Sequence, residues 1–303
     1  MPSLMQVSNL SKSYGKHLSV NNINFNIEKG HCIALLGPNG AGKTTTLSML
    51  LGLLEPTEGS VKVFGLPPKA IRVREQTGAM LQEVSVMDRL KVREILSLIR
   101  SYYPQRMEME VLLKAAGLTP ADLNRYAEKL SGGQKRSLSF ALALVGNPEL
   151  LIFDEPTVGL DTTARRHFWE MVRGFADQGK TILFTTHYLQ EAEDNADRIL
   201  LFSRGVLAAD GSPAEIKARL VKKSLSFLPL GDPGLMRGQL LELPAVEACY
   251  EKNGRLHVTT EDTDEALRAI FSSVLAVQDV LIDQGKLDEA FEQLTMNPEE
   301  AAL

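Results

Sequence analysis

The run Gly37-Pro38-Asn39-Gly40-Ala41-Gly42-Lys43-Thr44-Thr45 constrains this chain more than any other feature. Its pattern is G-x-x-x-x-G-K-[ST]. The glycines allow backbone N–H groups to turn inward and cradle a phosphate at the start of a helix. The lysine then reaches the β- and γ-phosphates, and the hydroxyl after it suits a magnesium ion. The flanks agree with that reading. Apolar His31-Cys32-Ile33-Ala34-Leu35-Leu36 has the texture of a buried strand, and Lys43 to Leu50 that of the helix leaving the loop. A glycine turn without a ligand is the bland alternative, and strand and helix on either side argue against it.

The bulk properties narrow the class. The chain has 303 residues, room for one large and one small domain. Its net charge is −5, so no general attraction to nucleic acid is expected. The two cysteines, Cys32 and Cys249, are far apart and lack metal-ligand spacing, which suits a reducing compartment. No apolar run approaches the ~20 residues of a membrane span, and the N-terminus lacks a signal-peptide core.

Along the chain, Leu4 to Ile27 alternates apolar and polar residues around Ser13-Tyr14-Gly15-Lys16, as an antiparallel pair does. A strand is expected at Ser60 to Gly65. Amphipathic helical texture runs from about Asp88 to Arg125, broken at Pro104 and at Gly117-Leu118-Thr119-Pro120. Strands Leu150–Phe153 and Thr181–Phe184 flank a helix over Thr163 to Gln178, the alternation of a parallel sheet wrapped by helices. A hairpin over Ile199 to Leu207 and a helix from Pro213 to Lys222-Lys223 close this part. Beyond Ser224 a β-α-β-β-α-β order begins: strand Leu225–Leu228, helix Met236–Leu243, a hairpin about Asn253-Gly254, helix Thr263–Val274 and strand Val277–Ile282. A helix over Leu287 to Leu294 follows. That order predicts a small ferredoxin-like α+β domain. The expected organisation is a nucleotide-binding α/β domain over 1–222, with a helical insertion at about 84–148, and an accessory domain over 223–303.

Further motifs lie between these elements. Gln82 stands where the sheet meets the insertion, and Leu130-Ser131-Gly132-Gly133-Gln134 precedes a helix starting Lys135-Arg136. The apolar strand Leu150–Phe153 ends in Asp154-Glu155, Gly159-Leu160-Asp161 follows, and Thr185-Thr186-His187 ends another strand. Singly these are weak signals. In this order and spacing, over about residues 4 to 220, the chain resembles the ATP-binding subunits of ABC transporters.

The resemblance implies a mixed-sheet P-loop ATPase domain with an antiparallel β subdomain and a helical insertion. Two such subunits pack head to tail, so that Ser131, Gly132, Gly133 and Gln134 of one cap the γ-phosphate held by the other. It implies that Gly37 to Thr45 bind ATP, and that Thr44, Gln82 and Asp154 make up the Mg²⁺ environment. Glu155 would be the general base towards water, His187 a γ-phosphate contact, and Asp161 a residue of the dimer seam. Tyr14 either stacks on the adenine or packs among the antiparallel strands. Glu155 is not replaced by an amide, so neither composite site looks degenerate.

The compact insertion, Pro156 to Asp161, and the ending Leu287-Asp288-Glu289-Ala290-Phe291-Glu292-Gln293-Leu294-Thr295 resemble ABC-2-type export ATPases. The implied partner is a polytopic permease docking on Glu83 to Leu96, where Val84, Val86, Met87 and Leu90 are apolar, unless these simply belong to the insertion's core. The implied location is cytoplasmic, at the inner face of the plasma membrane. The tail is either a regulatory module or a stabilising appendage. The rival class, soluble ABC ATPases of translation, DNA repair or chromosome structure, usually carries paired ATPase domains, long coiled coils or zinc-binding cysteines. None of these is evident here.

Overall fold

Alternation of short apolar runs with amphipathic helices yields a six-stranded sheet around the phosphate loop. We describe it from a computed structural model of the chain, for residues 3–82, 87–220, 223–260, 262–273 and 275–283. Residues Glu83 to Val86 and the segment Leu287 to Leu294 lie outside the described residues, and with them part of the expected docking surface and the expected last helix. The chain divides into two units, Met1–Pro213 and Ala214–Leu303.

The first unit opens with β1 (Met5–Tyr14) and β2 (His17–Ile27), an antiparallel pair turning at Gly15-Lys16. Next come β3 (Cys32–Leu36), α1 (Lys43–Leu50) and β4 (Glu58–Val63). β4 pairs with β1 in a three-stranded antiparallel sheet ordered β2-β1-β4. The short α2 (Ile71–Glu75) and β5 (Thr77–Met80) follow, neither of which the sequence pattern singles out. The insertion holds α3 (Val92–Ser101), α4 (Met109–Ala115) and α5 (Gly132–Leu144), with breaks where Pro104 and Gly117 place them. Then come β6 (Leu150–Phe153), α6 (Thr162–Ala176), β7 (Thr181–Thr186), α7 (Leu189–Asn195), β8 (Arg198–Ser203) and β9 (Val206–Gly211), while α8 (Pro213–Leu220) starts at the division and belongs to the second unit.

The second sheet runs β5-β6-β7-β3-β8-β9, parallel except for the β8–β9 hairpin at its edge. Its middle strands read as unbroken apolar runs because both faces are covered. Every residue of β3, β6 and β7 is buried. On one face Ile33, Leu35, Ile152, Leu183 and Leu200 join the core shared with the antiparallel sheet and α1. On the other, an aromatic brace seats α5 and α6. Phe140 of α5 packs on Phe153 at 5.6 Å and on Phe168 at 5.1 Å, and Trp169 of α6 meets Phe184 at 4.6 Å. Edge and tilted contacts of this kind add about 0.5–1.5 kcal/mol each beyond their buried area.

In the second unit, β10 (Lys223–Pro229), α9 (Pro233–Leu241), β11 (Ala248–Lys252), β12 (Arg255–Thr260), α10 (Thr263–Ser272) and β13 (Val277–Asp283) form an antiparallel sheet ordered β11-β12-β10-β13. That is the ferredoxin-like arrangement expected from the sequence. α9 begins three residues before the periodicity indicates. Asp232 caps it, accepting from Gly234 and Leu235 N–H at 2.8 and 3.1 Å, and Pro233 fits the first turn. The hairpin turns through Asn253 (φ 54°) and Gly254 (φ 74°), the two positive angles a two-residue turn needs.

Trp169 is the single tryptophan and is buried in the first unit, so its fluorescence reports that unit alone. Phe140→Ala should cost about 3–5 kcal/mol in urea unfolding followed through Trp169. A loss below about 1 kcal/mol would show that α5 is seated by something other than the brace.

Candidate active site

The parallel ladder brings three strand ends together. Leu36 at the end of β3 is opposite Thr186 of β7, and Phe153 at the end of β6 is opposite Phe184. One step further, the segments Gly37–Gly42, Asp154–Glu155 and Thr186–His187 leave the sheet side by side. This is the carboxyl edge, where open α/β sheets place their sites.

The phosphate loop is closely fitted to its surroundings. Gly42 has φ 98°, and a Cβ there would lie 2.6 Å from the Ser19 carbonyl oxygen. At Gly37 a Cβ would lie 2.5 Å from the Phe202 carbonyl oxygen. Glycine is required at both positions, by conformation at the first and by space at the second. Because Gly42 is also the N-cap of α1 and offers no side chain, the first turn of this helix has no side-chain cap. Its amide N–H groups suit an anion. Pro38, Asn39, Gly40 and Ala41 complete the turn, with Ala41 N–H donating to the Pro38 carbonyl at 3.2 Å.

Lys43 is only 5% exposed. Its Nζ donates to the carbonyls of Gly37 at 2.7 Å and Pro38 at 3.0 Å, and it lies 3.7 Å from Glu155 Oε1. Burial lowers its pKa from the ordinary lysine value, while Glu155 and Asp154 pull it back up. Asp154 Oδ1 accepts from the hydroxyls of Thr185 at 2.5 Å and Thr44 at 3.3 Å. The Thr185 hydroxyl also accepts from Glu155 N–H at 2.8 Å. His187 Nδ1 is 2.9 Å from Glu155 Oε2. Thr45 is held to Ser19, hydroxyl to hydroxyl, at 3.1 Å. Five of the expected residues, Lys43, Thr44, Asp154, Glu155 and His187, thus form one contiguous cluster. Thr185 belongs to it as well. The motif Thr185-Thr186-His187 contains it, but the resemblance assigns a role there only to the histidine.

Glu155 has φ 46°, a left-handed backbone that a non-glycine residue adopts only when its surroundings enforce it. Arg136 of α5 supplies part of that constraint. Its guanidinium donates to the carbonyls of Glu155, Pro156 and Val158, the last at 2.7 Å. Burial lowers its pKa, and Glu155 and Glu191 oppose that shift. A single arginine therefore joins the Ser131 helix to the loop carrying Glu155. Its role was not legible from Lys135-Arg136 as a helix start.

The other expected residues stand apart from this cluster. Ser131 caps α5, accepting from Gln134 N–H at 3.2 Å, while Gln134 Oε1 accepts from Ser131 N–H at 3.1 Å. Since the serine oxygen is the acceptor there, its own proton is left for an outside group. Gly132 and Gly133 form the first turn, which is why α5 starts three residues earlier than the sequence suggests. Gln134 is in turn fixed by Arg125 at 2.9 Å and Asp122 at 3.0 Å. Asp161 caps α6 through Ala164 N–H at 2.8 Å. Tyr14 is half exposed on β1, with Lys12 Nζ 5.4 Å from its ring centre, and Gln82 is exposed just beyond β5.

Comparison with known proteins agrees with this geometry. The family model for ABC transporters matches residues 20–158. The Nod factor export ATP-binding protein I of Burkholderia orbicola (strain AU 1054) is 39% identical over 238 residues, covering 77% of this chain and 78% of that protein. The chain belongs to the ABC transporter ATP-binding family. The protein of the same name from Paraburkholderia xenovorans (strain LB400) is also 39% identical, over 246 residues, covering 79% of this chain and 81% of that one. A dimeric ATP-binding cassette solved in a post-hydrolysis state with ADP and Pi superimposes with a TM-score of 0.63 at 26% identity, covering 69% of this chain and 98% of that chain. The protein is therefore an ABC ATPase that binds and hydrolyses ATP. No described helix of this ABC ATPase is long and apolar enough to cross a membrane.

The frame around Gln134 should be acid-labile. The Thr119 hydroxyl and N–H donate to Asp122 Oδ2 at 2.6 and 2.9 Å and hold this carboxyl below the ordinary aspartate range, with Arg125 assisting against burial. A lowered native pKa gives stability that is present above the unfolded value and lost as pH falls through the native one. Asp122→Asn removes that contribution. The stability gap between parent and variant, read from Trp169 fluorescence, should shrink below about pH 4. A gap constant with pH would count against the assignment.

Proposed function

We propose that this ABC ATPase closes head to tail around two Mg-ATP and powers a separate ABC-2-type permease, with export as the direction of transport. The observation that carries the reading is the cluster of Lys43, Thr44, Asp154, Glu155 and His187 at one sheet edge. The relatives named for Nod factor export support the direction, and their coverage extends over most of this chain.

Thr44 Oγ1 and Asp154 Oδ1, 3.3 Å apart, are hard oxygen donors of the kind Mg²⁺ prefers. These two residues, with Gln82, would hold the ion, which supplies charge neutralisation between the phosphates. The backbone N–H groups of the loop Gly37 to Thr45, Pro38 aside, and the Lys43 ammonium orient the triphosphate. Glu155 accepts the proton of the attacking water, and His187, fixed by Glu155, presents its other ring nitrogen to the γ-phosphate. Ser131 and Gly133 of the second subunit complete the site, with Gln134 and Gly132 holding the turn, Asp161 at the seam and Tyr14 against the adenine. The exposed Met87 and the partly exposed Leu90 belong to the permease-docking surface. The second unit acts as a regulatory module, and the complex sits at the inner face of the plasma membrane.

Lys43→Ala should abolish tight ATP binding in a titration with a fluorescent analogue, because the phosphates lose their cation. Unchanged affinity would remove the basis of the assignment. Glu155→Gln should keep binding, slow hydrolysis by about 10²–10⁴-fold and accumulate a dimer with Mg-ATP. A monomer at saturating Mg-ATP, by light scattering, would overturn the head-to-tail arrangement for the isolated chain. Recovery of a polytopic membrane protein with the tagged Glu155→Gln chain would support the permease partner.

A further inference from the structure

Glu191 lies on α7, away from the motifs above, yet it is only 6% exposed. Its carboxylate accepts from two hydroxyls. Oε1 takes the proton of Thr157, which is fully buried two residues after Glu155. Oε2 takes that of Thr186, immediately before His187, at 2.8 Å. Arg165 Nε of α6 lies 3.4 Å from Oε1, and the same guanidinium covers the Tyr188 ring at 5.1 Å. The Tyr188 ring rests in turn on that of His187 at 4.0 Å. One buried carboxylate therefore ties the segment after β6, the end of β7 and the helix capped by Asp161.

The constraint matters because Glu155 has a backbone that does not hold itself, at φ 46°. Arg136 grips the carbonyls of residues 155, 156 and 158, and Glu191 grips the side chain of the residue between them, Thr157. The same carboxylate fixes Thr186, so the two segments can shift apart only by breaking one of its hydrogen bonds. Burying a carboxylate is costly unless its oxygens are satisfied, and here each oxygen has a hydroxyl donor. A purely structural link between these segments could have been apolar.

We infer that Glu191 is a positioning residue for hydrolysis, holding Glu155 Oε2 and His187 Nδ1 at their 2.9 Å separation. This rests on the roles proposed above for Glu155 and His187. Loss of the carboxylate loosens their alignment while the phosphate loop, which it does not touch, still binds nucleotide.

The test is steady-state ATPase and nucleotide binding on the purified full-length chain. Glu191→Ala should lower kcat about 10- to 100-fold, in the range found when a supporting partner of an active residue is removed. Its affinity for a fluorescent ATP analogue should stay within about twofold of the parent, well under the tenfold that 1.4 kcal/mol represents. Glu191→Gln, which can still bond both threonines, should recover most of the lost rate. In a His187→Ala background, Glu191→Ala should add little further loss, because the two act as a unit. If the alanine variant does not fold by Trp169 fluorescence, Thr186→Val removes one of the same bonds from the other side and should lower kcat alone.

Parental turnover in Glu191→Ala, or in Thr186→Val when it stands in, overturns the inference while an inactive His187→Ala chain leaves the site reading intact. Equal losses of affinity and rate, or additive losses with His187→Ala, also overturn it by making the role one of general stability. A His187→Ala chain as active as the parent overturns the site reading and this inference together.

Discussion

The parallel register of β6, β7 and β3 is the constraint on which the site depends. These strands are neighbours in the sheet but far apart in the chain, and their carboxyl ends bring Asp154-Glu155, Thr186-His187 and the phosphate loop to one edge. A one-residue slip between β6 and β7 would move Thr185 away from Asp154 and Glu155, both of which it bonds. Apolar burial on both faces, from the core under the antiparallel sheet and from the aromatic brace, fixes that register.

Hydroxyls do much of the organising within this edge. Thr185 bonds Asp154 and the Glu155 amide, Thr157 and Thr186 bond Glu191, and Ser19 bonds Thr45. A hydroxyl donates and accepts at once, so it can satisfy a buried carboxylate without adding a charge. Lys43 stands as the cation against Asp154 and Glu155, and Arg165 as the one beside Glu191.

Much of this was legible in the sequence. Glycine spacing located the phosphate loop, unbroken apolar runs located β3, β6 and β7, and strand–helix alternation gave both the parallel sheet and the ferredoxin-like unit. The motifs single out Lys43, Thr44, Asp154, Glu155 and His187. Short elements escaped: α2 and β5, at five and four residues, offer too few positions to show a period. Helix starts set by capping geometry were also misplaced. Arg136 and Glu191 were invisible for a different reason. Arg136 acts on residues 19 to 22 positions distant, and Glu191 joins Thr186 to Thr157, 34 positions from it, through contacts that exist only once the sheet has formed.

The turn between β8 and β9 has a consequence of its own. Arg204 at φ 48° and Gly205 at φ 78° make an ordinary two-residue hairpin tip, the kind of site where added residues are usually absorbed. Gly205 is instead clasped on both sides: its N–H donates to the Ala41 carbonyl at 3.1 Å, and its carbonyl accepts from Asn21 N–H at 2.8 Å. A Cβ at Gly205 would lie 2.7 Å from the Ser19 carbonyl oxygen, the same atom that excludes one from Gly42. The tip is thus a keystone between the antiparallel sheet and the phosphate loop. Tags, epitopes or permuted termini placed there would be felt at the nucleotide, although nothing in the local sequence marks that hairpin as different from the one at Asn253-Gly254.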